Sequence, residues 1–247
     1  MRIAYLDPFS GASGEMIAGA LLDAGLSLPA LAAELGKLEL TGYTLHAEAA
    51  RQHGLVGTRF GVALAQPQPA RDRDAIQTLI GSSPQAEPAK GWALAIFARL
   101  HEAGARRHGV DTIVAVCAAC VGIALSDIEA VFSGPPRLGA GTQQPDESVT
   151  ASLLAGVDAP LAGPSPEMNG AGGTLMTPAG AALLTTLAEF RRPDFAPATI
   201  EYGFGDLALP WPHALRLWLG DGPDPWPRWP MTGEDLGAEW LGKWDEY

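Results

Sequence analysis

Three features of the chain predict an α/β fold, a mixed sheet covered by helices with a helical hairpin inserted. A short apolar strand, Ile3 to Leu6, runs through a turn of small residues straight into the helical pattern of Gly14 to Ala24. Two stretches that alternate apolar and polar residues, Tyr43 to Ala49 and Thr58 to Leu64, flank His53-Gly54 and read as a hairpin. Segments of helical period lie between and after them, and such alternation arises when helices cover the face of a sheet.

The remaining elements follow in order. Leu28, Leu31 and Leu35 recur at helical spacing and place a second helix over Leu28 to Lys37. Gln66 to Ala70 and Ser82 to Gly91 have linker composition, with a short helix from Arg73 to Ile80 between them. Trp92, Ile96, Phe97 and Leu100 share one face of a predicted helix over Trp92 to His108, which packs as a hairpin on the apolar helix Thr112 to Leu125. A strand at Ala130 to Ser133 and a helix at Glu147 to Ala155 come next. Thr177 as N-cap and Pro178 in the first position open a helix over Pro178 to Phe190. Ala198 to Tyr202 and Ala214 to Leu219 are the last strands. This divides the chain into an N-terminal α/β unit with an anion loop (1–65), a linker-like stretch (66–91), the hairpin with a second α/β half (92–220) and a Pro/Trp-rich tail (221–247).

Composition bounds the function. With 247 residues, 47% of them hydrophobic, the chain can bury a sizeable core. Sixteen basic against 28 acidic residues give a net charge of −12. That argues against nucleic acid as a partner, because such a surface needs a basic face to displace phosphate counterions. With only three lysines, Lys37, Lys90 and Lys243, a bound phosphate has to rely on backbone amides, hydroxyls and a few arginines. No apolar run has transmembrane length and Met1-Arg2 leads directly into the first strand, so a membrane partner is not expected and the cytoplasm is the expected location.

The segment Asp7 to Met16 holds the densest chemistry. Ser10, Gly11, Ser13 and Gly14 lie where a strand turns into a helix N-terminus, which presents unpaired N–H groups and a partial positive charge to a phosphate or carboxylate. Asp7, at the strand end, is placed to hold a metal ion beside it. The same pattern also suits an ordinary capped turn, with a serine on the helix and glycines at positive φ. Cys117 and Cys120 lie one turn apart in an apolar helix, which makes them core residues, since a reactive pair needs a polar or electropositive opening. His101 and His108, seven residues apart, read as one face of a solvated helix end, and His213 lies among prolines beside Trp211.

The string Leu6 to Met16, followed by Gly19-Ala20-Leu21-Leu22-Asp23-Ala24-Gly25, resembles the opening of the nickel-insertion (LarC-like) family. Gly54-Leu55-x-Gly57-Thr58, Asp111-Thr112-Ile113-Val114, Thr177-Pro178-Ala179-Gly180 with the leucines after it, Tyr202-Gly203-Phe204-Gly205 and Leu215-Arg216 follow in the family's order over about 220 residues, which chance rarely provides. The resemblance implies a nickel chelatase, classed as a lyase. Such a protein loads nickel into pyridinium-3,5-bisthiocarboxylic acid mononucleotide, the pincer nucleotide cofactor of lactate-racemase-type enzymes. On that basis Asp7, Ser10, Gly11, Ser13, Gly14, Thr177 and Gly180 are the candidates to hold the phosphorylated ligand between two helix N-termini. Asp7 and Glu15, which replaces the family's aspartate, are the candidate metal ligands. Full-length relatives carry a further nucleotide-binding domain, so a step that needs CTP is expected to use a separate domain or subunit.

Departures from the family pattern are concentrated in metal-type side chains. The family's His-x-His-Glu cluster shrinks to Arg107-His108-Gly109-Val110, an earlier histidine-bearing stretch is Ala70-Arg71-Asp72-Arg73, and a later His-Gly-Thr is Gly141-Thr142-Gln143-Gln144. A carboxylate position after Asp111 is Ala115, a glutamate position is Thr174, and an asparagine position is His213. Nickel(II) favours imidazole and thiolate donors, so these losses remove delivery ligands. Three functions stay open: nickel insertion, a non-catalytic paralogue that binds a phosphorylated pyridinium nucleotide, and an interaction subunit. Six of the seven tryptophans lie after residue 210. In the tail, a helix capped by Thr232 and Asp235 would put Leu236, Trp240, Leu241 and Trp244 on one face, for its own domain, a partner subunit or a second copy.

Overall fold

The computed structural model describes residues 1–139, 145–162 and 174–223. The expected tail helix and the Gly141 to Gln144 stretch lie outside the described residues. Eight strands and seven helices are formed there: β1 (Arg2–Asp7), α1 (Gly14–Asp23), α2 (Leu28–Gly36), β2 (Tyr43–Gln52), β3 (Leu55–Leu64), β4 (Arg71–Asp72), α3 (Arg73–Gly81), α4 (Ala89–Glu102), β5 (Arg107–His108), α5 (Val110–Leu125), β6 (Ala130–Ser133), α6 (Pro145–Ala155), α7 (Pro178–Leu187), β7 (Ala196–Phe204) and β8 (Ala214–Asp221).

Six strands form one sheet in the order β2-β3-β7-β8-β1-β6, and β4 with β5 makes a separate two-stranded ribbon. The β1/β6 and β3/β7 pairs are parallel and the other pairs antiparallel, so the sheet is mixed. The predicted hairpin is present, its turn made by His53 and Gly54 at φ 47 and 87, the left-handed pair that matches strand twist.

Helix α1 lies on the sheet over β3, β7 and β8, with α5 packed behind it. Its approach to β7 is backbone on backbone. A Cβ on Gly203 would run into the Met16 carbonyl of α1, and one on Gly19 would come within 2.8 Å of the Thr58 carbonyl of β3. Helix α5 is apolar all round from Ile113 to Ile123 because it is buried all round there. It pairs with α4 as the expected hairpin and also touches α1, α2, α7 and β3. Cys117 and Cys120 are free thiols in this core, at 1% and 0% exposure. Burial pushes the Cys117 thiol up to about 12.

Two helices stop earlier than their periodicity suggests. At the end of α4, Gly104 takes φ 105, and Ala105 N donates to the Leu100 carbonyl at 2.9 Å while Gly104 N donates to His101 at 3.0 Å, a glycine C-cap. The chain then turns into β5, where His108 pairs with Arg71 of β4. His101 and His108 therefore do not share a helix face, and His108 is buried rather than solvated. Helix α7 stops at Leu187 because Glu189 joins the sheet edge, donating to the Val131 carbonyl at 3.0 Å and accepting from Ser133 N at 2.9 Å.

Gly203→Ala is expected to cost roughly 2–3 kcal/mol, since the added methyl meets helix backbone that cannot rotate away; urea denaturation measures it. In native protein neither thiol should react with a disulfide reagent at pH 8, and both should react in denaturant.

Candidate functional site

The loop after β1 is tightly determined. Gly11, at φ 90, donates its N–H to the Pro8 carbonyl at 3.1 Å, and a Cβ there would strike the Leu175 backbone. Ser10 is fully buried and its Oγ accepts from Trp211 Nε1 at 3.2 Å. Ser13 caps α1, its Oγ accepting from Met16 N at 3.2 Å. Gly14 lets α1 approach Ala115 of α5, where a Cβ would be 2.9 Å from that residue's carbonyl.

The second motif closes on the first. Ala12 bridges to Met176 in parallel, Thr177 N donates to the Ala12 carbonyl at 3.0 Å, and Gly180 faces the same carbonyl without a side chain between them. Thr177 Oγ1 accepts from Gly180 N at 3.0 Å and caps α7. The N-termini of α1 and α7 thus converge, with Ser10, Gly11, Ser13, Gly14, Thr177 and Gly180 in one cluster. Within this cluster the glycines serve backbone-to-backbone contact and the hydroxyls serve caps and Trp211.

Asp7 lies elsewhere. Register places it opposite Arg216 of β8, whose Nη2 and Nε reach its Oδ2 at 2.5 and 3.2 Å. The guanidinium also stacks near Trp218 (5.1 Å) and Phe9 (5.7 Å). The Asp7 carboxylate is therefore engaged by a cation, and it is absent from the cavity that Glu15 lines.

That cleft, of about 350 Å³, is lined by residues near the N-termini of three helices. Helix α1 contributes Glu15, α5 contributes Gly109, Thr112 and Ala115, and α7 contributes Thr177, Pro178 and Ala179. The β4/β5 ribbon and the end of α4 complete it with Arg107, His108, Leu100 and Ala105. Gly109 caps α5 without a side-chain bond, and the three dipole ends make the cavity favourable for negative charge. Burial, with Asp111 adding to it, raises the Glu15 carboxyl above its ordinary value. His108 is 9% exposed, its Nε2 lies 3.1 Å from the Ala105 carbonyl, and its ring edge meets Phe97 at 5.2 Å. Burial holds this imidazole below its ordinary pKa. Donation from Nε2 assigns the lone pair to Nδ1.

Two of the departures noted in the sequence, the Arg107-His108-Gly109 stretch and Ala115, meet here. Arg71 and His108 are direct strand partners, and Arg107, His108 and Ala115 line one cavity. Among the described residues no three His, Cys, Asp or Glu side chains form a group able to hold a metal. Spacing puts His108 on a solvated helix end with His101 and does not mark Thr112 as a site residue. The C-cap glycine at 104 was the signal available, because it ends α4 before His108.

The family described as nickel insertion protein matches residues 4–238. The chain belongs to that family. It is 42% identical over 242 residues to a provisionally named nickel insertion protein of Thermomicrobium roseum, covering 90% of this chain and 58% of the relative. A second, from Roseiflexus castenholzii, is 38% identical, covering 89% and 60%. A protein of Desulfitobacterium hafniense named pyridinium-3,5-bisthiocarboxylic acid mononucleotide nickel insertion protein is 35% identical over 261 residues, covering 97% and 61%. The chain thus spans about three fifths of the length of these relatives. No solved structure matches it, and no helix among the described residues is long and apolar enough to cross a membrane.

His213, where the family pattern has asparagine, locks the β7–β8 loop that carries Trp211. Its Nδ1 accepts from Leu207 N at 3.1 Å, its own N–H donates to Gln52 Oε1 at 2.9 Å, and its ring packs on Gly205. Burial lowers its pKa, as it does for His108 and His101. The unfolded chain protonates near the ordinary value of 6.5 while the folded chain resists. Stability is therefore full above that pH and falls as pH drops below it. The urea midpoint is expected to fall between pH 7.5 and 5.5, and to fall less in His213→Asn, whose amide oxygen still accepts from Leu207.

Proposed function

We propose that this chain takes part in inserting nickel into pyridinium-3,5-bisthiocarboxylic acid mononucleotide, in the maturation of the pincer cofactor of lactate-racemase-type enzymes. The observation that carries the proposal is the convergence of three helix N-termini, Glu15 and His108 on one cavity in a member of the nickel insertion family. The ligand's phosphate is received by the backbone amides at the start of α5, which carries no side-chain cap, with the Thr112 hydroxyl at hand. Glu15, whose carboxyl burial raises above its ordinary value, lines the same cavity. Nickel is the substrate that passes through the site. Soft thiocarboxylate sulfurs of the ligand are its final donors, and the neutral His108 imidazole and Glu15 are the side chains placed to guide it there. Ser10, Ser13, Gly11, Gly14 and Gly180 hold the wall in shape, and Asp7 does so through Arg216.

A second reading is favoured by Ala115 and Arg71, which stand where the family pattern has metal-type side chains. In it the chain holds the mononucleotide as a carrier, without delivering metal. Native mass spectrometry of the chain, co-expressed with the enzymes that make the mononucleotide and supplied with nickel, separates the two. Ligand plus nickel supports insertion, ligand alone supports the carrier, and an empty chain overturns both. In Glu15→Gln/His108→Ala the nickel-bearing fraction is expected to fall about ten-fold with ligand retained.

A further inference from the structure

Among the described residues that line the cleft, Arg107 alone carries a permanent positive charge. The other polar side chains there are Glu15, Thr112, Thr177 and the His108 imidazole, which burial holds below its ordinary pKa. Arg107 is tethered at the ribbon, its Nη2 donating to the Ala70 carbonyl at 2.5 Å, and the rest of its donor fork is unengaged among the described residues. Asp72, its strand partner, does not neutralise it, because that carboxylate caps α3 by accepting from Ala75 N at 3.1 Å. Two more arginines stand on the ribbon or beside it. Arg71 has its Nη1 buried with no hydrogen-bond partner, and none of Arg71, Arg106 and Arg107 forms an ion pair among the described residues. Uncompensated cations are thus grouped beside one cleft on a chain with 28 acidic residues and a net charge of −12. Their field reaches His101 at the end of α4. Burial first, then Arg73 and Arg106, hold that imidazole below its ordinary pKa against the opposing pull of Asp74 and Glu102.

The charge balance of the cleft gives this cation a task. A helix N-terminus offers roughly half an elementary charge, whereas a phosphate monoester carries roughly −1.5 to −2 at pH 7. The uncapped start of α5 therefore cannot balance a phosphate alone, and Glu15 in the same cleft enlarges the deficit whenever it is ionised. Arg107 comes shortly before Gly109, the N-cap of α5, and both line the cleft. We propose that Arg107 recognises the phosphate of the ligand and makes the cleft selective for the phosphorylated mononucleotide over its nucleoside. Arg71 and Arg106 add positive field from the ribbon. This rests on the reading of the cleft as the mononucleotide site. A guanidinium suits the role because its planar fork meets two phosphate oxygens at once and stays charged at every relevant pH.

Isothermal titration of the full chain, without nickel, tests this with two probes: pyridinium-3,5-bisthiocarboxylic acid mononucleotide and the same compound after removal of its phosphate. The wild-type chain is expected to bind the phosphorylated probe at least about ten-fold more tightly. Arg107→Gln should remove most of that preference and leave the affinity for the nucleoside unchanged. Glutamine keeps a donor for the Ala70 carbonyl, so circular dichroism and the thermal midpoint should stay native. Arg107→Lys, which keeps the charge without the fork, should fall between the two. Arg51→Gln, at an exposed arginine of β2, should change neither affinity. Equal affinity of the wild-type chain for the two probes overturns the inference, as does a preference that survives Arg107→Gln. Weakening of both probes by the same factor in Arg107→Gln overturns it in favour of a thiocarboxylate as the partner of Arg107. Binding of neither probe by the wild-type chain overturns the reading of the cleft itself and the inference with it.

Discussion

Helix α1 packs closer to its neighbours than side chains would permit, and the site depends on that approach. Gly203 lets β7 touch the Met16 carbonyl, Gly19 lets α1 touch β3, Gly14 lets it touch α5, and Gly180 brings α7 onto Ala12 and the start of α1. At each of these places a methyl group would meet backbone, which cannot rotate aside as a side chain can. The glycines give up conformational entropy in the unfolded chain and in return fix three helix N-termini around one cavity. If α1 were displaced outward, Glu15 would leave Thr112 and Thr177, and the dipole ends would no longer point at a shared space.

This constraint also changes what the serine- and glycine-rich loop means. Its small residues make room first for protein backbone: Leu175 against Gly11, Ala115 against Gly14, Ala12 against Gly180. Its hydroxyls serve a cap and the Trp211 indole. The anion-attracting potential is carried one step away, in the cavity where α5 starts without a side-chain cap. The two acidic residues of this segment sit in different places and are accommodated for different physical reasons. Asp7 is held by a guanidinium, and Glu15 sits in a desolvated place that favours its protonated form.

Histidines follow the same logic of burial. His108 and His213 are both kept neutral by desolvation, one with a backbone carbonyl and the other with a backbone amide as partner. At His213 the ring fills the space that Gly205 leaves open and ties the β7–β8 loop down, so that Trp211 reaches Ser10. A polar residue at one end of the sheet thereby supports the loop at the start of the site.

The fold was largely legible in the sequence, because period and punctuation are local. The Ile3–Leu6 strand, the His53-Gly54 hairpin turn, the Thr177-Pro178 helix start and the apolar α5 all follow from side-chain spacing and capping chemistry, and so does the burial of both cysteines. The boundaries that moved did so through a local glycine cap at Gly104 and through contacts distant in the chain. Residue 189 left its helix to pair with β6, and His108 left its helix to pair with Arg71. Register alone decided that Asp7 meets Arg216, 209 residues away, rather than Glu15, eight residues away. By itself the sequence determined which residues are helix caps and core, since those roles are set by bonded neighbours and polarity, whereas the close approaches of the glycines came from the structure. The tertiary structure decided which caps share a cavity and which carboxylate is neutralised, because convergence in space depends on strand order and helix packing that local spacing does not encode.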